Sequence, residues 1–413
     1  MTGITAIFAA DGPIRRNPSV QLLTNGSIRA FFAGNLANAT AVEVRVMAQS
    51  WLILELGGSQ LMVGAAIGLR FLHAIFVGLM AGVWVDKLGG RYVLLWERSL
   101  LLGLAVVTAL LVLSDTVVIW HIMLLSVVSS TLMIAGGPAM NSMVTKLVPK
   151  SSLQAANSIN QLTFSSARAL GPMGAGFLIA AFGMGSPWLA LIGLYMLAIA
   201  ATWKLPKGEP AGTGDETAYR AIMNGLRYVK SDPIISRVMF LAFTAIFVGG
   251  LFSVIPVYAR DRFDVGSTGL GIMMAAAALG NAVGALLVAF TGGFRRKSVS
   301  MMVAVVIFST AAAGFGFSTN YAVALVFLFL NASAAPLWIS SVVTLLQTES
   351  DPKMLGRVMA LFAISIQVIF LGAMTWAWLG QQIGNDWMLL FVGLAFVIAH
   401  AVVMVFSPSI RRL

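Results

Sequence analysis

The chain has 413 residues, of which 59% are hydrophobic and only 10% are charged, and its mean hydropathy is +0.91. This composition excludes a soluble globular domain and indicates a protein whose solvent is the bilayer, where a net charge of +11 reflects Lys and Arg beside anionic headgroups rather than nucleic-acid binding. Because the chain has no Cys, disulfides, thiolate metal sites and thiol catalysis are excluded as well.

Twelve apolar stretches follow one another along the chain, each close to the length of about 20 residues that crosses a bilayer as a helix. They are residues 30–54, 61–84, 92–113, 117–139, 154–182, 187–204, 234–258, 266–290, 299–318, 321–346, 355–382 and 387–407. The long polar segment 205–233 separates six spans from six. Its Ile222, Leu226 and Val229 recur at helical spacing, which predicts an amphipathic helix on the inner membrane face.

Positive charge marks every second connection. All but five of the 26 Lys and Arg lie in two tails, residues 1–29 and 408–413, or in clusters at alternate loops and the span ends beside them, such as Lys87/Arg91/Arg98, Lys146/Lys150 and Lys353/Arg357. The positive-inside rule therefore predicts that both termini are cytoplasmic, in a multi-pass protein of the bacterial inner membrane.

A weak internal repeat relates the two sets of spans. Pro149-Lys150 matches Pro352-Lys353, and residues 86–91 fall over residues 291–296. The sequence thus predicts an all-α integral membrane protein with two pseudo-symmetric six-helix bundles, 30–204 and 234–407. Such a repeat places a substrate site near the midplane between bundles that rock to give alternating access.

The loop after the second span carries a recognisable motif. Gly82-Val83-Trp84-Val85-Asp86-Lys87-Leu88-Gly89-Gly90-Arg91 resembles the Gly-x-Leu-Ala-Asp-Arg-x-Gly-Arg-Arg loop of the major facilitator superfamily, with Trp84 in place of Leu and Gly90 in place of one basic residue. The resemblance implies the superfamily fold and a cytoplasmic gating loop that latches onto the helix beginning near Met354. Its residues would be Gly82, Asp86, Lys87, Gly89 and Arg91.

Two further stretches support this resemblance. The segment from Ala167 to Gly176 is similar to the Gly-Pro-x-x-Gly-Gly motif of the superfamily's antiporters, which implies a close helix seam at Gly171, Pro172 and Gly176. We expect Gly280 and Gly284 of the eighth span to form the matching surface, because small residues let helices pack closely. The stretch from Val46 to Ser59 resembles the branch that contains the enterobactin exporter and macrolide efflux proteins.

Charges inside the predicted spans are candidates for function, because they are costly in lipid. Glu43 and Arg45 are two residues apart and cannot face the same way on a helix. Glu43 either carries the coupling proton or forms a static ion pair with Arg70 or Arg168. The surplus of arginines favours an anionic or zwitterionic substrate if they face the cavity. Candidate cavity residues are Asn38, Arg45, Arg70, His73, Asn160, Arg168, Asn281, Asn331, Trp338 and Gln367.

Other classes of protein are disfavoured. The sequence has no phosphate-binding loop of an ATP-driven pump, and its three histidines lie in separate spans, which argues against an enzyme or a metal site. We expect a proton-coupled antiporter without cofactors that exports small amphipathic compounds and acts as a monomer. The alternatives are export of a specific anionic metabolite or siderophore, an uptake or lipid transporter of the same superfamily, and a non-transporting membrane sensor or scaffold.

Overall fold

The computed structural model describes residues 22–69, 85, 87–149, 152–206, 218–291 and 296–407. Helices make up most of these ranges. In chain order they are α1 (Gly26–Glu55), α2 (Gln60–Leu69), α3 (Gly90–Leu113), α4 (Ile119–Leu147), α5 (Leu153–Phe182), α6 (Ser186–Trp203), α7 (Ala218–Ser231), α8 (Pro233–Arg262), α9 (Gly266–Thr291), α10 (Lys297–Phe317), α11 (Tyr321–Glu349), α12 (Leu355–Ile383) and α13 (Asn385–Phe406).

Nine of the described helices are long and apolar enough to cross a membrane, namely α3, α4, α6 and α8 to α13. Helices α1 and α5 have 30 residues each but are less apolar, and α2 is a shorter apolar helix. Every predicted span overlaps one of these helices, although residues 70–84 of the second span lie mostly outside the described residues. The protein is therefore a multi-pass membrane protein, and the count of twelve crossings stays a prediction.

Several helices begin at side chains that cap them. The carboxamide oxygen of Asn25 accepts hydrogen bonds from the backbone amides of Ser27 and Ile28, at 3.0 and 3.3 Å, and starts α1. Asp232 caps α8 and Asn320 caps α11 in the same way. These residues satisfy amides at the first helical turn that have no partner within the helix.

Helices α5 and α9 join the two halves of the chain. In the first half of the chain, before α7, α1 packs on α5 and α6, while α3 packs on α4 and α6. In the second half, after α7, α11 packs on α9 and α10, α10 on α13, and α12 on α8. Helix α5 also packs along α9, which is the most extensive contact between the halves.

The linker contains a helix, α7, where one was predicted, and its place on the inner membrane face stays a prediction. Helix α7 packs against the start of α12, where a Cβ built on Gly225 would lie 3.1 Å from Leu361 Cδ1. The Tyr228 hydroxyl oxygen accepts a hydrogen bond of 2.9 Å from the backbone amide of Asp351. These contacts attach α7 to the second half of the chain.

Candidate functional site

An ion pair joins α1 to α5 beside the contact between the halves. Arg168 Nε lies 3.7 Å from Glu43 Oε1, with 57% of the Arg168 side chain and 24% of the Glu43 side chain exposed. A charge in a membrane helix usually faces a water-filled cavity rather than lipid, so this pair is the strongest candidate for a cavity residue pair. Of the two partners considered for Glu43, Arg168 is in place, and Arg70 lies outside the described residues.

Gly171 explains how the two helices reach each other at this ion pair. It follows Arg168 by almost one turn of α5. A Cβ built on Gly171 would lie 2.8 Å from Glu43 Cβ and 3.3 Å from the backbone oxygen of Thr40. A larger residue would therefore push α5 away from α1 and separate Glu43 from Arg168.

The seam between α5 and α9 is present, but it uses other glycines than expected. Ser267 Oγ of α9 donates a 3.1 Å hydrogen bond to Gly176 O, and a Cβ built on Gly271 would lie 2.7 Å from Pro172 O. The prediction that Gly280 and Gly284 face α5 is wrong, because these glycines pack closely against the α11 backbone at Phe329 and Ser333. Gly280 follows Gly271 by nine residues, which places it about 180° around the helix.

Arg45 turns away from Glu43 into the interior of the first half. It is buried, its Nη1 donates a 2.7 Å hydrogen bond to Ser129 Oγ, and its Nη2 lies 3.1 Å from Met133 Sδ. It lines a cavity between α1, α3, α4 and α6. The structure therefore places Arg45 in a cavity distinct from the Glu43–Arg168 pair.

Sequence reasoning missed a second buried arginine, Arg98, which it grouped with cytoplasmic charges. Arg98 is only 2% exposed and joins three helices. It donates to Asn35 Oδ1 at 2.7 Å, to the backbone oxygen of Ala198 at 3.1 Å, and to the Thr202 hydroxyl. Its position two turns inside α3 was the available signal, because an arginine so far along a membrane helix needs polar partners.

Sequence reasoning also missed Glu97, which precedes Arg98 near the start of the third predicted span. It is 4% exposed, and a Cβ built on Gly136 of α4 would lie 2.5 Å from its Oε1. Its Oε2 accepts no hydrogen bond from the part of the chain that the structure describes. Glu97 is thus a second carboxyl group inside the spans, besides Glu43.

Two of the weaker candidates are packing residues in the second half. Asn331 Nδ2 donates a 2.8 Å hydrogen bond to the backbone oxygen of Phe308, and Trp338 Nε1 donates a 2.9 Å hydrogen bond to His400 Nε2. Both side chains are buried, so the expectation that they line the central cavity is not met. Polar groups that join helices in this way are common in membrane proteins.

The other candidates are half-buried or lie outside the described residues. Asn38 and Asn160 are half-buried, and the Oδ1 of each accepts no hydrogen bond from the described residues. Asn281 and Gln367 are also half-buried, and Gln367 lies where α12 is interrupted. The expected cavity residues Arg70 and His73 lie outside the described residues.

The predicted gating loop is described only in part, because Gly82 and Asp86 lie outside the described residues. Gly89 has φ +83°, which fits the expected sharp turn. Lys87 is exposed, and Arg91 Nη2 donates a 2.9 Å hydrogen bond to the backbone oxygen of Trp203. Arg91 therefore attaches the loop to α6 of its own half, and the latch onto α12 stays a prediction.

Contacts between the halves also occur at the helix ends that the charge pattern assigns to the outer side. Gln60 Nε2 donates a 2.8 Å hydrogen bond to Asn385 Oδ1. Arg260 Nη1 donates a 2.5 Å hydrogen bond to the backbone oxygen of Leu54. Together with the pair of Ser267 and Gly176, these bonds close the two halves against each other at that end.

Comparison with known proteins agrees with this arrangement. The family model described as transmembrane secretion effector matches residues 19–410. The chain is similar to the enterobactin exporter EntS of Shigella boydii, with 26% identity over 341 residues that cover 80% of this chain and 77% of the exporter. It is 25% identical over 352 residues to EntS of Escherichia coli, covering 83% and 82% of the two chains.

Solved transporter structures share the fold at low identity. A POT family transporter in complex with a thioalcohol-conjugated peptide superposes with a TM-score of 0.72 at 11% identity, over 92% of this chain and 96% of that one. The nucleoside transporter NupG gives 0.69 at 12% identity, over 91% and 98%. A bacterial homologue of the human lysosomal transporter Spinster, inward-facing and unoccupied, gives 0.67 at 16% identity, over 95% and 96%.

Proposed function

The chain belongs to the transmembrane secretion effector family of major facilitator transporters, and from this premise we propose that it is a proton-driven antiporter that exports a small amphipathic compound. Family and relatives indicate a transporter rather than an enzyme. The observation that carries the proposal is the ion pair of Glu43 and Arg168, which lies beside the contact between the halves. A titratable carboxyl group at that place is what proton coupling requires.

In the proposed cycle, Glu43 exchanges the substrate for a proton. The separation of 3.7 Å between Arg168 Nε and Glu43 Oε1 is longer than a hydrogen bond, so this contact is electrostatic. Loss of the proton to the cytoplasm leaves Glu43 charged, and a substrate from the cytoplasm then binds at the pair, with a cationic or donor group on Glu43 and a carboxylate, phosphate or catecholate group on Arg168. In the outward-facing state a proton from outside neutralises Glu43, which removes its hold on the substrate and releases the substrate outside. Because proton and substrate occupy the pair in turn, the cycle is antiport.

The proposed architecture is two bundles of six helices, residues 30–204 and 234–407, with both termini in the cytoplasm of a bacterial cell. The bundles would rock about the seam of Gly176 and Ser267. The hydrogen bonds of Gln60 with Asn385 and of Arg260 with Leu54 support an inward-facing state, because they hold the outer ends together. The protein would act as a monomer.

A second candidate is export of a specific anionic metabolite or siderophore. The observation that favours it is the exposed Arg168, together with the similarity to an enterobactin exporter. Uptake or lipid transport by the same mechanism, and a sensor or scaffold that transports nothing, remain alternatives for the experiment to separate.

The test uses the purified protein in proteoliposomes that contain a pH-sensitive dye, with an inward proton gradient and a panel of drugs, siderophores and organic anions. We expect one class of compound to trigger proton movement, and Glu43→Gln to abolish it. Glu55→Gln is the matched control, because Glu55 is an exposed residue at the end of the same helix. Substrate flux without proton movement would contradict antiport, and no flux with any compound would favour the sensor or scaffold.

A further inference from the structure

The first half of the chain encloses a small cavity with several polar side chains in its lining. It lies between α1, α3, α4 and α6 and has a volume of about 20 Å³. That is room for about one water molecule or an ion of similar size. Its polar lining includes Arg45, Gln49, Ser126, Ser129, Trp188 and Tyr195.

Two buried groups in this lining can only donate hydrogen bonds. Arg45 is 7% exposed and Trp188 is 3% exposed. Neither the Arg45 Nε nor the Trp188 Nε1 has an acceptor among the described residues. Because guanidinium and indole N–H groups have no acceptor capacity, they cannot satisfy each other, and one acceptor in the cavity that both residues line would satisfy them.

Among the described residues, Arg45 has no anionic partner within contact distance. Its described partners, the Ser129 hydroxyl and the Met133 thioether, are both neutral. The nearby carboxyl groups contact other residues. Glu43 pairs with Arg168. Glu97 lies against Gly136, which is about one turn further along α4 than the Met133 that Arg45 contacts. A buried arginine normally has an anionic partner, because an unpaired charge away from water is costly.

We propose that this cavity binds a small monovalent anion through Arg45 Nε and Trp188 Nε1. A water molecule would satisfy the two N–H groups, whereas an anion also neutralises the guanidinium. The cavity size selects a halide ion or a single small carboxylate such as formate. The site is separate from the Glu43–Arg168 pair and does not depend on the proposed export.

The test measures the melting temperature of the purified protein in sodium chloride, bromide or formate against sodium gluconate at equal ionic strength. A ligand that binds only the folded protein raises the melting temperature with its concentration, and we expect a rise of about 3 °C with the small anions at saturation. Gluconate is too large to enter and should give none. A larger rise in melting temperature with formate than with the halides identifies a carboxylate site, and a larger rise with the halides identifies a halide site.

Variants decide whether the effect arises in this cavity. Arg45→Gln should abolish the anion response, and Trp188→Phe should weaken anion binding several-fold. Arg168→Gln, and Trp120→Phe at a site that is 61% exposed, are the matched controls and should keep the response. If Arg45→Gln does not fold, the comparison of the two Trp variants decides. A response that gluconate reproduces, that Arg45→Gln retains, or that is absent in every salt would overturn the proposal. Since no transport is measured, the outcome is independent of the export assay.

Discussion

Arg168 Nε lies 3.7 Å from Glu43 Oε1, so that one charge on α5 faces one charge on α1 beside the contact between the halves. Single and double variants of this pair distinguish its contribution to thermal stability from its role in proton coupling, because each charge can be removed alone or together with its partner. Arg168→Gln should lower the melting temperature by removing the positive charge opposite Glu43, and the double variant Glu43→Gln with Arg168→Gln should restore it. The double-mutant cycle of these two residues should give an interaction energy of about 0.2–1 kcal/mol, as for other exposed ion pairs.

Proton movement should not recover in the same double variant, because it lacks the carboxyl group that binds the proton. The measurement is dye-reported pH in proteoliposomes beside thermal unfolding of the same preparations. Recovery of both stability and proton movement would show that the ion pair is static and that the proton uses another group.

Gly171 and Gly174 offer a matched comparison on α5. A Cβ on Gly171 would lie 2.8 Å from Glu43 Cβ, whereas a Cβ on Gly174 meets nothing within 4 Å. We expect Gly171→Ala to destabilise the protein by about 1–3 kcal/mol through overpacking. Gly174→Ala should be neutral or slightly stabilising, because alanine favours the helix. Thermal unfolding checks both, and equal effects of the two variants would argue against the close approach of α1 and α5.

Glu97 and Gly136 should behave as a coupled pair. A Cβ on Gly136 would lie 2.5 Å from Glu97 Oε1, so Gly136→Ala should lower the melting temperature and the yield of folded protein. Glu97→Ala creates space at the same place, and the double variant should therefore be more stable than Gly136→Ala alone. Thermal unfolding of the four proteins gives the coupling, and additive effects would contradict the contact.

Gln60 and Asn385 provide a test of rocking between the halves. Because the chain has no Cys, Gln60→Cys with Asn385→Cys gives a protein that a short bismaleimide reagent joins at these two positions only. We expect this cross-link to stop transport, since the outer ends must separate in alternating access. Phe317→Cys with Trp387→Cys is the matched control, because these rings are 5.5 Å apart within the second half. Full transport by the first cross-linked protein would exclude opening at this end.

The sequence by itself determined where the described helices lie and that most of them are apolar enough to cross a membrane. Lipid offers no partner to an unsatisfied backbone group, so long apolar helices are required, and their residues are visible as uninterrupted runs. Local rules also held at particular residues. Asn25 caps α1, Gly89 adopts positive φ, and Glu43 and Arg45 diverge as their spacing requires.

Only the tertiary structure decided which faces meet. The 3.6-residue period fixes which residues share a face, but the rotation of a helix is set by its neighbours. For this reason the sequence could not tell that Arg168 faces Glu43, or that Gly271 rather than Gly280 forms the α5 seam. The same limit applies to the buried charges. From the sequence, Arg98 resembles the neighbouring cytoplasmic cations. Only the structure shows that α1 and α6 supply acceptors for its guanidinium.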